Sequence, residues 1–244
     1  GFEHYIFSGG RRLRCGYTTG VCAALAAAGA ARLLLTGAPP PSVSLETPKG
    51  ITVKVPLEEC RLREDWASCA VRKDAGDDID VTAGALIFAQ AAFQNGPGIA
   101  IDGGPGVGRV TKPGLDQPVG AAAINRVPRQ MIRQAVLAVC GEQNYHGGLR
   151  VTISVPGGSR LAEKTFNPEL GIVGGISILG TSGIVEPMSL QALADTVTLE
   201  IRQAAAQGSR RVILTPGNYG VDFLRAQGLD VVYNAEGSNQ VEGV

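Results

Sequence analysis

Apolar and polar positions follow two rhythms along this chain, one helical and one alternating. Residues 20–35 form an alanine-rich apolar run preceded by Thr18 and Thr19, which can cap a helix, and followed by Thr36-Gly37 and Pro39-Pro40-Pro41, which stop it. Val43 and Leu45, then Ile51, Val53 and Val55, alternate on either side of Pro48-Lys49-Gly50, the pattern of a hairpin with one buried face. Residues 69–73 and 84–93 read as strands, although pattern alone leaves a helix open for the second. Across residues 124–140 the apolar positions Ile124, Val127, Met131, Ile132, Ala135, Val136 and Val139 recur at helical spacing, which leaves Arg126, Arg129 and Arg133 on another side. A strand is expected over residues 149–155, and a further helix over 190–207 is ended by Gly208.

The order then changes. Residues 211–215 read as a buried strand, 216–220 as a turn, 221–226 as a helix and 229–233 as another strand, the opening of a parallel unit. The expected fold class is therefore α+β: a two-layer α/β sandwich over residues 1–189, then a linking helix and the start of a Rossmann-like α/β domain over 190–244. Two parallel strands and one helix cannot bury both faces of a sheet, so this second part is expected to be unfinished.

Composition narrows the setting. The 244 residues are 44% hydrophobic and 18% charged, as in globular proteins. Twenty-two basic residues cancel twenty-two acidic ones, so no global field draws in nucleic acid, and an anionic ligand must be held by local basic groups. The cysteines Cys15, Cys22, Cys60, Cys69 and Cys140 lack CxxC pairing, and reduced cytoplasmic thiols are the expectation, with no metal site. Arg11, Arg12 and Arg14 ahead of residues 21–31 mimic the start of a signal peptide, but the polar GYTTG and Arg32 argue against one. No run reaches the roughly twenty uninterrupted apolar residues of a membrane span, so the expectation is a cytoplasmic protein without a membrane partner. Self-association is left open.

Candidate chemistry lies in five strings. Residues 155–189 are dense in glycine and proline, which suits close approach of main chain to a ligand or tight turns between strands. The others are RCGYTTGVCAA (14–24), VRKDAGDDIDVT (71–82), IDGGPGVGRVTKPGL (101–115) and ILTPGNYG (213–220). The glycines from Gly103 to Gly108 nearly meet a phosphate-loop pattern, but Arg109-Val110 replaces its lysine and hydroxyl. Amides of Gly104, Gly106 and Gly108 beside Arg109 and Lys112 remain suited to carboxylates. Asp74, Asp77, Asp78 and Asp80 place four carboxylates within seven residues, which fits a solvated turn, a group handling substrate protons, or a cation. His4 and His146 fall outside these strings, and no nucleophile-base pair can be assembled around Cys15 or Cys22.

Taken together and in order, these strings resemble the cobalt-precorrin-5B C1-methyltransferase family of anaerobic cobalamin biosynthesis, from about residue 5 to about residue 225. The resemblance implies methyl transfer from the cofactor S-adenosylmethionine to C1 of the small-molecule substrate cobalt-precorrin-5B, giving cobalt-precorrin-6A and S-adenosylhomocysteine. A corrinoid carries several acetate and propionate groups, so Arg72, Lys73, Arg109, Lys112 and Lys164 become substrate-binding candidates, with Gly104, Gly106, Thr18 and Thr19; Arg126 and Arg129 are weighed beside them. Asp74, Asp77 and Asp78 are the candidate catalytic carboxylates. Thr181, Ser182 and Glu186 are candidate cofactor contacts, joined by Gly217, Asn218, Tyr219 and Gly220 at a strand-to-helix turn where Rossmann-like domains meet a nucleoside. Two other classes stay open: a nucleotide-dependent transferase using the glycine string as a phosphate loop, and a non-catalytic tetrapyrrole carrier.

Overall fold

In the computed structural model residues 2–8, 10–187, 190–210, 212–213, 226–227, 231–235 and 238–241 are described. The chain begins with an antiparallel hairpin of β1 (Tyr5–Ser8) and β2 (Arg11–Arg14), followed by a short β3 (Gly16–Tyr17) and the helix α1 (Thr19–Thr36). Thr18 caps α1 by accepting from the Val21 amide, and Gly37 ends it with a left-handed φ of 78°. The expected hairpin follows as β4 (Val43–Glu46) and β5 (Thr52–Val55), antiparallel around the 48–50 turn.

Next come β6 (Glu58–Leu62), β7 (Trp66–Arg72), β8 (Leu86–Gln94), β9 (Ile99–Gly103), β10 (Gly106–Val107) and β11 (Arg109–Val110). The helix α2 (Arg126–Glu142) and the strand β12 (Gly148–Ser154) complete a five-stranded sheet of order β6-β7-β8-β12-β9, in which β12 runs parallel to β9 and every other pair is antiparallel. The glycine-rich segment contains α3 (Gly158–Ala162), β13 (Ile172–Val173), β14 (Gly175–Ile176) and β15 (Ile184–Val185). After it come α4 (Leu190–Ala206) and the two strands β16 (Val231–Ala235) and β17 (Ser238–Val241).

Alternation along the sheet sends Ala67, Cys69 and Val71 of β7, Ile87, Ala89 and Ala91 of β8, and Leu149, Val151 and Ile153 of β12 to one buried face. The small residues there leave room for α1, which lies against β7, β8 and α2. Fourteen of the 18 residues of α1 are buried, so this helix is apolar all round because it is enclosed all round. Its mean hydropathy of 1.5 makes it long and apolar enough to cross a membrane, but 78% of it is buried inside the protein, as in a core helix. The two-layer α+β architecture over the first part agrees with the expectation.

Of the arginines on the polar side of α2, Arg126 and Arg133 are exposed and Arg129 is half-buried. The Arg129 guanidinium donates to the carbonyls of Ile124 (2.8 Å), Ile101 (2.9 Å) and Ala122 (3.3 Å), and Arg133 donates to the Ile99 carbonyl (2.9 Å). Long side chains reach across the helix edge and tie it to β9. The strand expected over 229–233 is found as β16, but it pairs antiparallel with β17. Most of the strand expected over 211–215 and of the helix over 221–226 lies outside the described residues.

One contact fixes the carboxylate string. Tyr17 donates its amide to the Asp74 carbonyl (2.9 Å) and Asp77 to the Arg14 carbonyl (2.9 Å), so residues 14–17 and 74–77 run main chain to main chain. The Arg14 guanidinium grips both oxygens of Asp74 at 2.7 and 2.8 Å. Gly76, at φ +65°, has no room for a side chain: a Cβ there would stand 2.2 Å from the Arg14 carbonyl oxygen. Gly76→Ala is expected to cost about 2 kcal/mol or more in denaturant unfolding, from strain plus collision, against about 1 kcal/mol for Gly50→Ala, where the added carbon meets nothing within 4 Å. Equal losses at the two sites would refute the clamp.

The same clamp sets an acid limit. The Arg14 guanidinium holds the Asp74 carboxyl below its ordinary 3.8, burial opposing. Burial pushes Asp80 up, but the Lys73 ammonium and the Thr82 donors win and leave it lowered. Groups depressed by folding stabilise the native state above their unfolded value, and that contribution is lost as pH falls through the lower folded value. The melting temperature should hold from neutrality to about pH 5 and fall below about pH 4. Asp74→Asn should be less stable at neutrality and show a shallower acid slope; an unchanged slope would count against this origin.

Candidate functional site

A cavity of about 340 Å³ lies at the amino end of α1. Three of the sequence strings reach it: Thr18 and Thr19 from the first, Lys73, Asp80, Val81 and Thr82 from the second, and residues between Thr165 and Val185 from the glycine-rich segment. Leu199 and Glu200 of α4 close it. Its walls are mainly apolar, with Phe166, Leu170, Ile176, Leu179 and Leu199 among them.

The polar groups are held from behind. The side chain of Lys73 is 1% exposed and pairs with Asp80 at 2.9 Å. The second oxygen of Asp80 accepts from the Thr82 hydroxyl at 2.6 Å and the Thr82 amide at 2.7 Å. A buried ammonium is tolerated only with such a partner. Thr19 Oγ1 accepts from the Leu179 amide at 2.9 Å, and Asn167 joins the Ser177 hydroxyl to the Gly175 carbonyl. Glu200, 3% exposed, places a second carboxyl at the wall.

The helix start expected to meet an anion is turned inward. Gly20 gives its amide to the Leu179 carbonyl (2.8 Å) and Val21 gives its own to Thr18 Oγ1 (3.3 Å), so Thr18 and Thr19 anchor the 177–183 loop. Burial pushes the Cys22 thiol up to about 12 and raises that of Cys15, which leaves neither poised as a nucleophile. Among the described residues no group of three or more His, Cys, Asp or Glu stands together as a metal site.

The expected ring of basic residues does not surround this cavity. Arg72 holds Glu58 at 3.0 and 2.6 Å and the Gly84 carbonyl at 3.0 Å, and Arg109 holds Asp102 at 2.8 and 3.1 Å and the Gly103 carbonyl at 2.8 Å. That pairing draws the Asp102 carboxyl below its ordinary value. Lys112 reaches the Glu169 carbonyl at 3.3 Å, and Lys164 is exposed beside Thr165. Of the lysines and arginines expected to meet substrate, Lys73 alone lines the cavity.

The glycine string 103–108 is a crossing of strands. Gly104 donates its amide to the Ile153 carbonyl (2.7 Å) and Gly108 to that of Ile176 (2.9 Å), and Gly106 pairs with Gly175 in a parallel bridge. The amides of Gly104 and Gly108 are spent on this crossing. Gly106 does border a separate hollow of about 240 Å³ together with residues 154–159.

Of the candidate catalytic carboxylates, Asp74 belongs to the Arg14 clamp, Asp77 accepts from the Arg14 amide at 2.7 Å, and Asp78 is half-buried on the same turn. Asp80 is the member of that string that reaches the cavity. Thr181 is exposed, Ser182 bonds the Ile184 carbonyl at 3.0 Å, and Glu186 pairs with Lys49. Gly217, Asn218, Tyr219 and Gly220 lie outside the described residues. Asn167, Ser177, Leu199 and Glu200 were not singled out from the sequence. For Glu200 a signal existed, because it stands three residues before Gln203 on one helical face and both are buried.

A family model described as CbiD matches residues 7–187. A cobalt-precorrin-5B C(1)-methyltransferase of Thermoanaerobacter sp. (strain X514) is 48% identical over 228 residues, 93% of this chain and 62% of that protein. One from Ruminiclostridium cellulolyticum is 48% identical over 240 residues, 98% of this chain and 62% of the relative, and one from Geobacillus kaustophilus is 51% identical over 207 residues, 85% and 56%. The crystal structure of a cobalamin biosynthesis protein (cbiD) from Archaeoglobus fulgidus superposes with a TM-score of 0.57 at 33% identity, covering 91% of this chain and 70% of that one. This chain thus spans about three-fifths of the length of the curated relatives it matches. With that family model covering the clamp, the sheet, α1, α2 and most of the cavity wall, the chain belongs to the CbiD family.

Proposed function

We propose that this chain takes part in transferring a methyl group from S-adenosylmethionine to C1 of cobalt-precorrin-5B, giving cobalt-precorrin-6A and S-adenosylhomocysteine, in anaerobic cobalamin biosynthesis. The names of its relatives support the reaction. The single structural observation that carries the reading is the meeting of three separate strings at one mainly apolar cavity. Bound S-adenosylmethionine supplies a methyl group that is already activated, so the residues need only bind, orient and exclude water. The apolar walls serve the last need, and the Arg14–Asp74 clamp and the Lys73–Asp80 pair hold the wall in one geometry.

The reading as a nucleotide-dependent transferase loses its support, because the amides of Gly104 and Gly108 and the guanidinium of Arg109 are already engaged. A cytoplasmic setting accords with five free thiols.

Anaerobic incubation of the chain with cobalt-precorrin-5B and S-adenosylmethionine, followed by mass spectrometry, should yield product heavier by one methyl group. An unchanged mass with corrinoid retained on gel filtration would favour a carrier. An unchanged mass with no corrinoid retained would overturn the reading.

A further inference from the structure

We infer that the cavity at the amino end of α1 is the seat of the methyl donor, with the donor's sulfonium facing Asp80 and Glu200, and that the macrocycle is presented from outside it. This rests on the methyltransferase reading above and differs from the sequence-based expectation, which put the cofactor at Thr181, Ser182 and Glu186 together with Gly217, Asn218, Tyr219 and Gly220.

Size is the first argument. A volume of about 340 Å³ lies at the low end of small-molecule sites, which run roughly 300–1,000 Å³. It admits an amino-acid nucleoside and excludes a whole tetrapyrrole with its side chains.

Charge is the second and separates the two ligands more sharply. The wall carries two carboxyl groups, Asp80 and Glu200, and one ammonium, Lys73, with Asp80 already held by Lys73 and Thr82. S-adenosylmethionine carries the mirror set, a sulfonium and an ammonium against one carboxylate. A corrinoid precursor bears many carboxylates, and the same wall would repel it. A sulfonium is also weakly hydrated, so moving it into an apolar cavity beside a fixed carboxylate costs less than moving a hydrated cation. Lys73 is already oriented by Asp80 at 2.9 Å, so the wall does not have to rearrange to present its charges.

Methyl transfer then balances within this geometry. The nucleophilic carbon of the substrate attacks the methyl carbon from the mouth of the cavity, a C–C bond forms, the C–S bond breaks, and its electron pair stays on sulfur. The product, S-adenosylhomocysteine, has a neutral thioether where the donor had a cation, so the attraction of the two carboxyls for that position is lost after reaction.

That difference supplies the test. Binding of S-adenosylmethionine and of S-adenosylhomocysteine to the whole chain is measured by isothermal titration calorimetry for the wild type, Glu200→Gln and Leu199→Trp, with thermal melting to confirm folding. Glu200→Gln should weaken S-adenosylmethionine by about tenfold, the scale of a lost buried charge partner, and S-adenosylhomocysteine by under about threefold. Leu199→Trp should fill the cavity and abolish both. Equal losses for the two ligands in folded Glu200→Gln would overturn the sulfonium placement. Undiminished binding of S-adenosylmethionine in both variants would put the donor elsewhere and leave the methyltransferase reading standing. A wild-type chain that binds neither ligand would overturn this inference, while the product-mass experiment separately decides the reaction.

Discussion

Main chain touching main chain is the constraint on which this structure depends. At the crossing of β10, β14 and α3, a Cβ on Gly106 would stand 1.8 Å from the Val155 carbonyl oxygen, one on Gly158 2.2 Å from the Gly106 oxygen, and one on Gly175 2.2 Å from the Gly106 carbonyl carbon. Side chains cannot be accommodated there, and hydrogen bonds take the place of burial. Gly108 donates to Ile176 (2.9 Å), Ala123 to Gly108 (2.8 Å) and Ile178 to Ala123 (2.8 Å), which threads residues 104–108, 121–124 and 175–178 into one layer. This layer delivers Leu179 to the first turn of α1, where the Thr19 and Gly20 contacts receive it. The cavity exists because that delivery leaves space between the loop, the carboxylate turn and α4.

Electrostatics then decide what the space suits. Zero net charge says nothing about any one surface, and among the described residues many basic groups are already matched by a nearby acceptor. Arg14 with Asp74, Arg72 with Glu58, Arg109 with Asp102 and Lys49 with Glu186 are closed pairs, and Arg129 and Arg133 spend their donors on carbonyls. Partly exposed pairs of this sort add little stability. Their effect is positional: Arg14–Asp74 and Lys49–Glu186 tie down segments that continue into the cavity wall at Lys73, Asp80 and Val185. Lys73 differs because it is buried, and its pairing with Asp80 is a condition for keeping its charge there.

Much of the fold was legible because it rests on local rules. Helical spacing, the Thr18 cap, the Gly37 and Gly208 stops and the 43–55 alternation each act within a few residues, and the elements formed where those rules put them. The candidate site was legible only in part. The strings that meet at the cavity were visible as strings, but a glycine needed for close approach looks the same in sequence whether the neighbour is a ligand or another strand. Gly104 stands against Thr152 and Ile153, and Gly106 against the main chain of Val155 and Gly158. Ion pairs such as Arg14–Asp74 and Lys49–Glu186 join residues 60 and 137 positions apart, and no local signal assigns one partner to the other. Helical spacing places Arg129 and Arg133 on one side of α2, but the β9 carbonyls they meet are set by tertiary packing.

The role of α4 follows from the same reasoning. Sequence order makes it the connector between two parts, with a boundary between residues 189 and 190. Physically it leans on the first part: Gln203 donates to the Leu170 carbonyl at 2.5 Å, and Gly114 approaches so closely that a Cβ would stand 2.9 Å from both Ala206 and Gln203. Those two contacts place Leu199 and Glu200 over the space between Lys73 and Leu179. Without them the cavity would open further to water, the Lys73–Asp80 pair would be more solvated, and charge recognition at that wall would weaken toward its value in bulk solvent. The helix that looks like a linker is therefore the fourth wall of the site.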